Sequence, residues 1–310
     1  MKHDQKTEMI TLLGPTATGK TRLAVMLADA IHGQIISADS RQVYRGMNLG
    51  TGKDLEEYRI KGKIIPFHLI DIADPGYEYS VFEFARDFRL AFQRVKNEGC
   101  VPLLCGGTGL YLDAILRGYQ LSEAKPDAGL RKVLETKSDR ELIDMLSEMR
   151  DLHNQTDIGD RKRLLRAIEI AMSEENPAAP DAVSINSLVF GLRWERDTLR
   201  QRITARLHQR LNQGMAEEVR SLIAAGIEPE KLMFYGLEYK YITLYVTGKL
   251  SFREMSDQLN TGIHQFAKRQ MTWFRRMERN GISIHWLEGE AGEEQNFIRM
   301  LEISKNAGIA

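Results

Sequence analysis

Apolar positions along the first third of the chain fall into two alternating rhythms. "MITLL" (9–13) is a short unbroken apolar run that predicts a buried strand, after which Leu23, Met26, Leu27, Ala30 and Ile31 recur at helical spacing. "QIISAD" (34–39) predicts a second strand ending in polar residues, and "FHLIDI" (67–72) a third. Ser80 and Glu83 have capping-box spacing ahead of Val81, Phe84, Ala85, Phe88, Ala91, Phe92 and Val95. Gly99 stops that helix, and "CVPLLC" (100–105) supplies another strand. Strand and helix alternating in this way define the α/β class: a parallel sheet wrapped by helices.

From Gly118 the rhythm changes. Residues 1–117 read as the first part of a core, and the polar, helix-forming stretch at 118–159 as a small helical insertion. Residues 160–310 complete the core: "INSLVFGLRW" (185–194) returns a strand, and long helices follow. Leu199, Ile203, Leu207, Leu211 and Met215 make one apolar stripe; Met255, Leu259, Ile263, Phe266, Phe274 and Met277 make another, capped by Ser251 and Glu254. The final stretch is weakly patterned and predicts a loose tail. No internal repeat is visible.

A length of 310 residues suits one large domain, or one domain with an appendage. The 43 Lys and Arg balance 43 Asp and Glu, so no global charge announces a nucleic-acid binder and local clustering has to carry any such reading. The N-terminus "MKHDQKTEMI" lacks the apolar core of a secretory signal, and no stretch approaches the roughly 20 apolar residues that span a bilayer. A cytoplasmic protein with no membrane attachment is expected. Cys100 and Cys105 bracket a strand and read as buried thiols; the seven histidines are scattered, so a bound metal is expected to be a hard ion held by oxygens.

The chemistry begins at Gly14. Gly14, Gly19, Lys20 and Thr21 satisfy G-x-x-x-x-G-K-[ST], with a strand before and a helix after. In such a loop (Gly14, Pro15, Thr16, Ala17, Thr18, Gly19, Lys20, Thr21) the glycines let backbone N–H groups point inward and the helix N-terminus adds partial positive charge. Lys20 neutralises phosphate oxygens, and Thr21 offers a hydroxyl to Mg²⁺. This is a cradle for a diphosphate or triphosphate, but it does not say which bond breaks. Nucleoside triphosphate hydrolysis or phosphoryl transfer is one reading, with Asp71 in "HLID" either a metal carboxylate or a loop residue bonding local backbone. Two more polar clusters follow strands: Asp39, Ser40, Arg41 and Gln42 after the second, and Gly106, Gly107, Thr108 and Gly109 after a later one. Ligands of open parallel sheets collect beyond the carboxyl ends of strands, so the three clusters describe one crevice. Asp39 has the chemistry of a general base there, and the Thr108 hydroxyl that of a group orienting an acceptor or a phosphate.

"GPTATGKT", "SADSRQVYRGMNLGTGK", "GGTGLYLDAI", "DRKRLLRAIEI" and "AKRQMTWFRR" stand in the order and spacing of the tRNA dimethylallyltransferase family, also called tRNA isopentenyltransferases, and the chain resembles that family over most of its length. The resemblance implies a P-loop NTPase-like fold, a helical insertion that contacts tRNA, Mg²⁺ as cofactor, and a monomer. It implies transfer of a dimethylallyl group from dimethylallyl diphosphate to N6 of the adenosine just 3′ of the anticodon, with the loop holding a diphosphate leaving group rather than ATP. Asp39 matches the family's base, Thr108 its threonine near the target base, and Arg220 a diphosphate-binding arginine. The target base must be swung out of the anticodon stem-loop, at a cost of a few kcal/mol. Asp39, Ser40, Arg41 and Gln42 are placed to read it. Arg163 and Arg166, then Lys268, Arg269 and Gln270 with Trp273, Arg275 and Arg276, match segments at the tRNA surface. Arg202, Arg206 and Arg210, at four-residue spacing, are weaker candidates, because a solvated helix face looks the same in sequence. Trp273 and Phe274 also fit a core.

Two departures mark a divergent branch: the segment between "GGTGLY" and "DRKRLLR" is short for the family, and "FYGLEYKYI" replaces a more common glycine-tyrosine form. Three other readings share the loop. They are a phosphotransferase or NTPase, a prenyltransferase acting on free adenine nucleotides, and an RNA-binding protein with a relict loop.

Overall fold

The computed structural model describes residues 7–119, 121, 127–149, 160–173 and 185–309. The chain divides into two compact units, Met1–Gly118 with Ser184–Ala310, and Tyr119–Val183.

The larger unit is built on strands β1 (Met9–Leu13), β2 (Gly33–Ala38), β5 (Phe67–His68), β6 (Val101–Gly106), β7 (Ser187–Arg193) and β8 (Ile284–Glu288); β3 (Arg59–Ile60) and β4 (Lys63–Ile64) form a separate short hairpin. The sheet order is β5-β2-β6-β1-β7-β8, and every pairing is parallel. All residues of β1 and β2 are buried, which is why these strands read as continuous apolar runs instead of alternating ones. Leu13 pairs with Gly106 and with Gly191, and Ala38 also pairs with Gly106. The last residues of β1, β2 and β6 therefore lie in one row, and the loops that follow them start at one level.

Helices α1 (Lys20–Ala30), α2 (Val81–Asn97) and α3 (Gly109–Leu116) belong to this unit. The capping box at the start of α2 forms as expected: the Ser80 hydroxyl accepts from Glu83 N–H, and the Glu83 carboxylate accepts from Ser80 N–H. The third strand is shorter than the apolar run 67–72 predicts. Leu69 (φ 62°) and Asp71 (φ 56°) take left-handed backbone conformations, and the chain leaves the sheet to bond Gln42 and Val43 carbonyls.

The smaller unit holds α4 (Ala128–Glu135), α5 (Asp139–Met149) and α6 (Arg161–Met172) around Leu134, Leu142, Leu146, Leu164, Leu165 and Ile168. The expected boundary at 159/160 is thus displaced: α6 buries its apolar face against α4 and α5 and does not begin the second part of the core. Glu169 on α6 is buried, with its carboxylate accepting from Arg131 at 2.6 and 3.1 Å and from Arg166 at 3.0 Å. Burial opposes that charge, but the two guanidiniums hold the carboxyl below its usual range.

The remaining helices return to the larger unit: α7 (Arg196–Asn212), α8 (Met215–Ala224), α9 (Pro229–Leu232), α10 (Leu237–Val246), α11 (Phe252–Arg279) and α12 (Glu293–Asn306). Leu199, Ile203, Leu207, Met255, Leu259 and Ile263 of the two predicted stripes meet in one core cluster with Tyr44, Tyr235 and Tyr239. The stripe ending in Met215 spans two helices, since Gly214 (φ 99°) turns the chain between α7 and α8. Ser251 and Glu254 cap α11 as predicted. The expected loose tail is instead β8 on the sheet edge followed by α12, which packs on α1 and buries Met300. Its few apolar residues are spread among charges, so the periodicity was faint although the packing is firm.

Candidate functional site

Three loops meet beyond the aligned strand ends. The first runs from Gly14 to Lys20. Ala17 (φ 62°) and Gly19 (φ 91°) both take left-handed conformations, which turn successive N–H groups to the concave side and make an anion-binding nest. Gly14 is required by close approach: a Cβ there would sit 2.7 Å from the Leu192 carbonyl. The loop's outer rim is held by side chains. Thr18 Oγ1 donates to the Pro15 carbonyl at 2.9 Å, Trp194 Nε1–H to the Thr18 carbonyl at 3.0 Å, and Arg202 Nε–H to the Ala17 carbonyl at 3.0 Å. Lys20 folds over the loop, its Nζ 3.4 Å from the Pro15 carbonyl. Burial pushes the Lys20 ammonium down, while Cys105 and Asp39 pull it back up. It is a desolvated cation short of negative charge. Thr21 follows it on the first turn of α1.

The second loop follows β2. Asp39 Oδ1 accepts from Arg41 N–H at 2.9 Å, a local turn that fixes the carboxylate's orientation. Its Oδ2 carries no hydrogen bond among the described residues. The third loop follows β6, and its Thr108 Oγ1 accepts from Ser40 N–H at 3.0 Å, tying it to the second. A Cβ on Gly106 would collide with the Ala38 carbonyl, so only glycine lets these two loops approach.

Gln270 on α11 joins the first loop to the third. It is buried, its Oε1 accepts from Thr16 N–H at 3.0 Å, and its Nε2–H donates to the Gly107 carbonyl at 2.8 Å. The sequence placed Gln270 at the tRNA surface; the structure corrects this, because both ends of its amide are used inside the protein. Replacing it leaves a buried donor and a buried acceptor unpaired, at about 1–3 kcal/mol each. The Gln270→Leu variant is expected to unfold at lower temperature and to lose catalytic turnover at saturating substrates. A loss of RNA affinity with unchanged turnover would return Gln270 to the RNA surface.

Gln42 is half-buried at the edge of the same crevice. Its Oε1 accepts from Ser37 Oγ at 3.2 Å and its Nε2 donates to the Gly52 carbonyl at 3.2 Å, so its amide braces the loop. Arg41 lies 5.5 Å from the ring centroid of the half-exposed Phe234. Lys268 and Arg269 are exposed on α11, Arg269 over the Phe266 ring. Phe274 is core, and Trp273 packs on Gly109. In the smaller unit Arg163 is exposed on α6, whereas Arg166 bonds Glu169. Arg220 is not brought to the loop. It pairs with Glu217 at 2.6 Å one turn earlier and lies over the Tyr245 ring.

Asp71, the carboxylate that a nucleotide-hydrolysing reading would give to a metal, is 2.5 Å from the Nζ of Lys53, whose side chain is fully buried. That ammonium also donates to the Tyr44 carbonyl and to Asn48, so Asp71 is the counter-ion of a structural lysine. The arginines ranked last by sequence lie closest to the loop: Arg202, Arg206 and Arg210 line a cavity of about 420 Å³ together with Ala17, Asp54 and Glu57. Their four-residue spacing was the available signal, and only the packing of α7 against the loop distinguishes it from a solvated face.

A parallel sheet with a phosphate loop after its first strand, and two further loops converging on it, defines a P-loop α/β protein of the NTPase-like fold. The chain belongs to the IPP transferase family, whose model matches residues 42–277; a model for isopentenyl transferase matches residues 7–63. It is 53% identical to "tRNA dimethylallyltransferase 2" of Bacteroides fragilis, over 94% of this chain and 97% of that one. It is 48% identical to "tRNA dimethylallyltransferase 1" of Parabacteroides distasonis, over 96% and 98%. The solved full-length tRNA isopentenylpyrophosphate transferase of Bacillus halodurans is similar with a TM-score of 0.71 at 31% identity, covering 97% of both chains.

Proposed function

We propose that this protein transfers a dimethylallyl group from dimethylallyl diphosphate to N6 of the adenosine immediately 3′ of the anticodon in tRNA, releasing diphosphate. The family assignment supports the reaction class, and relatives named for this activity match nearly end to end. Within the crevice, the observation that carries the reading is the common level of the three loops. A loop suited to a diphosphate and a carboxylate with one oxygen free of hydrogen bonds among the described residues follow strand ends that lie in one row.

An adenine amino group is a weak nucleophile, because its lone pair is delocalised into the ring. It needs alignment with the allylic carbon and a base to accept its proton as the C–N bond forms and the C–O bond to diphosphate breaks. Asp39 Oδ2 is that base in this account, and Thr108 and Ser40 hold the neighbouring backbone. Charge growing on the departing diphosphate meets the loop N–H groups and Lys20. Mg²⁺ suits the donors here: among the described residues no cluster of His, Cys, Asp or Glu could hold a metal, which leaves the Thr21 hydroxyl and diphosphate oxygens as hard ligands. When bound, the ion would neutralise charge on the leaving group. In the larger unit the exposed Lys268 and Arg269 fit contacts with RNA phosphates, and in the smaller unit the exposed Arg163 does so on its own. Among the described residues no helix is long and apolar enough to cross a membrane.

Incubation with labelled dimethylallyl diphosphate, unmodified tRNA and, separately, AMP or ATP separates the readings. Label is expected in tRNA alone. Label in AMP or ATP favours a nucleotide prenyltransferase, and ATP turnover without prenyl transfer overturns the proposal.

A further inference from the structure

Two adjacent carboxylates on α8 have different surroundings. Glu217 is exposed and pairs with Arg220, whereas Glu218 is half-buried and turns toward the chain at 48–50. Its Oε2 accepts from the N–H groups of Asn48 and Leu49 at 2.8 Å each, and its Oε1 from Gly50 N–H at 3.1 Å and the Tyr239 hydroxyl at 2.5 Å. A carboxylate has about four lone-pair sites, so four donors fill it. Three successive N–H groups converging on one anion make a nest of the kind that binds phosphates, and here a side chain of the protein occupies it. Gly50 is required by close approach: a Cβ there would lie 2.7 Å from the Tyr239 ring. Lys53 holds the far side of the turn. Its buried Nζ donates to Asn48 Oδ1 at 3.2 Å and to the Tyr44 carbonyl at 2.6 Å, and its N–H to the Asn48 carbonyl at 3.0 Å.

The turn so fixed reaches Asp39 through one amide. Gly52, two residues past the nest, presents its carbonyl to Gln42 Nε2 at 3.2 Å, and Gln42 Oε1 accepts from Ser37 Oγ at 3.2 Å. Ser37 lies in β2 and Gln42 just beyond it, so the bond between them closes the loop on which Asp39 stands. The other end of the same amide is tied to the turn that Glu218 holds. Among the described residues no hydrogen bond joins Glu218, the turn at 48–52 or Gln42 to the phosphate loop.

We propose that Glu218 is a positioning residue for the proton-accepting carboxylate. By filling the nest at 48–50 it sets the Gly52 carbonyl, through that the Gln42 amide, and through that the loop bearing Asp39, while the diphosphate cradle is held independently. The role rests on the function proposed above, in which Asp39 accepts the adenine proton.

Single-turnover transfer from labelled dimethylallyl diphosphate to tRNA, with donor affinity by calorimetry and the melting temperature alongside, tests this on the full chain. Glu218→Gln places an NH₂ group where two N–H donors point, so the nest opens. It is expected to slow transfer about tenfold, because a displaced base loses its alignment, with donor affinity within about twofold of wild type. Glu218→Asp keeps the carboxylate on a shorter stem and is expected to lose only about threefold. Tyr239→Phe removes the one donor outside the nest, and is expected to lower the melting temperature while transfer stays within about twofold of wild type. Gln42→Leu cuts the relay at its other end, so adding Glu218→Gln to it should slow transfer no further. An unchanged rate in Glu218→Gln, a donor affinity that falls in step with the rate, an equal loss in Tyr239→Phe, or losses that multiply in the double variant each overturn the proposal. Should Glu218→Gln fail to fold, Glu218→Asp is read by the first two criteria. A wild-type protein that prenylates no tRNA overturns the function proposed above and this inference with it; wild-type transfer that Glu218→Gln leaves intact overturns this inference alone.

Discussion

Asp39→Asn lowers the single-turnover rate of prenyl transfer by on the order of 10²–10⁴-fold, the range associated with a positioned general base. The substitution keeps the shape of the side chain and an oxygen to accept the Arg41 N–H, so the loop geometry is retained. What is lost is the basicity of the second oxygen, the one without a hydrogen bond among the described residues. Diphosphate and donor affinities should therefore stay near wild type, since Asp39 lies beside Lys20 but is no part of the nest. Binding of the donor by calorimetry and transfer by rapid quench separate the two. Parallel loss of binding and rate would make Asp39 a structural residue that merely shapes the loop.

Lys20→Ala acts on the other half of the reaction. Burial pushes the ammonium's pKa down and its hydrogen bond within the protein is to the uncharged Pro15 carbonyl at 3.4 Å, so a diphosphate would supply the negative charge that stabilises it. Removing one charged donor to the leaving group is expected to lower kcat/KM by on the order of 10²–10³-fold. It should also weaken donor binding about tenfold, as befits a hydrogen bond to a charged group. Both effects appear in donor titrations and in single-turnover transfer. Unchanged turnover would take Lys20 out of the mechanism. The contrast with Asp39→Asn is diagnostic: one variant loses chemistry alone, the other loses binding and chemistry together.

The phosphate loop, the strands and the capping boxes were legible because each is written locally, in apolar runs, in glycine placement and in Ser–Glu spacing. The convergence of the three loops was legible too, since parallel strands deliver their carboxyl ends to one edge of the sheet. Partners remote in the chain were not. Gln270 lies 254 residues from Thr16, and nothing in "AKRQMTWFRR" says that its amide turns inward to join two loops while Lys268 and Arg269 turn outward. Arg202, Arg206 and Arg210 carried the right spacing but no sign of which face α7 presents to the loop. Asp71 offered a metal carboxylate in sequence and proved to be bound to Lys53, because Leu69 and Asp71 turn the backbone out of the sheet. The order of the C-terminal segment is hidden in sequence for a related reason. β8 is stabilised by pairing with β7, and α12 by contact with α1, both of which are tertiary facts.

The central claim is that one crevice presents a cradle to a leaving diphosphate and a free carboxylate oxygen to an extruded adenine. A structure of the full chain with a non-transferable donor analogue and an anticodon stem-loop tests it most directly. The account predicts the analogue's diphosphate within the loop against Lys20, and Asp39 Oδ2 at roughly 3 Å from the adenine N6. An adenine amino group well beyond hydrogen-bond reach of Asp39, or an analogue whose diphosphate lies away from the loop, would contradict it.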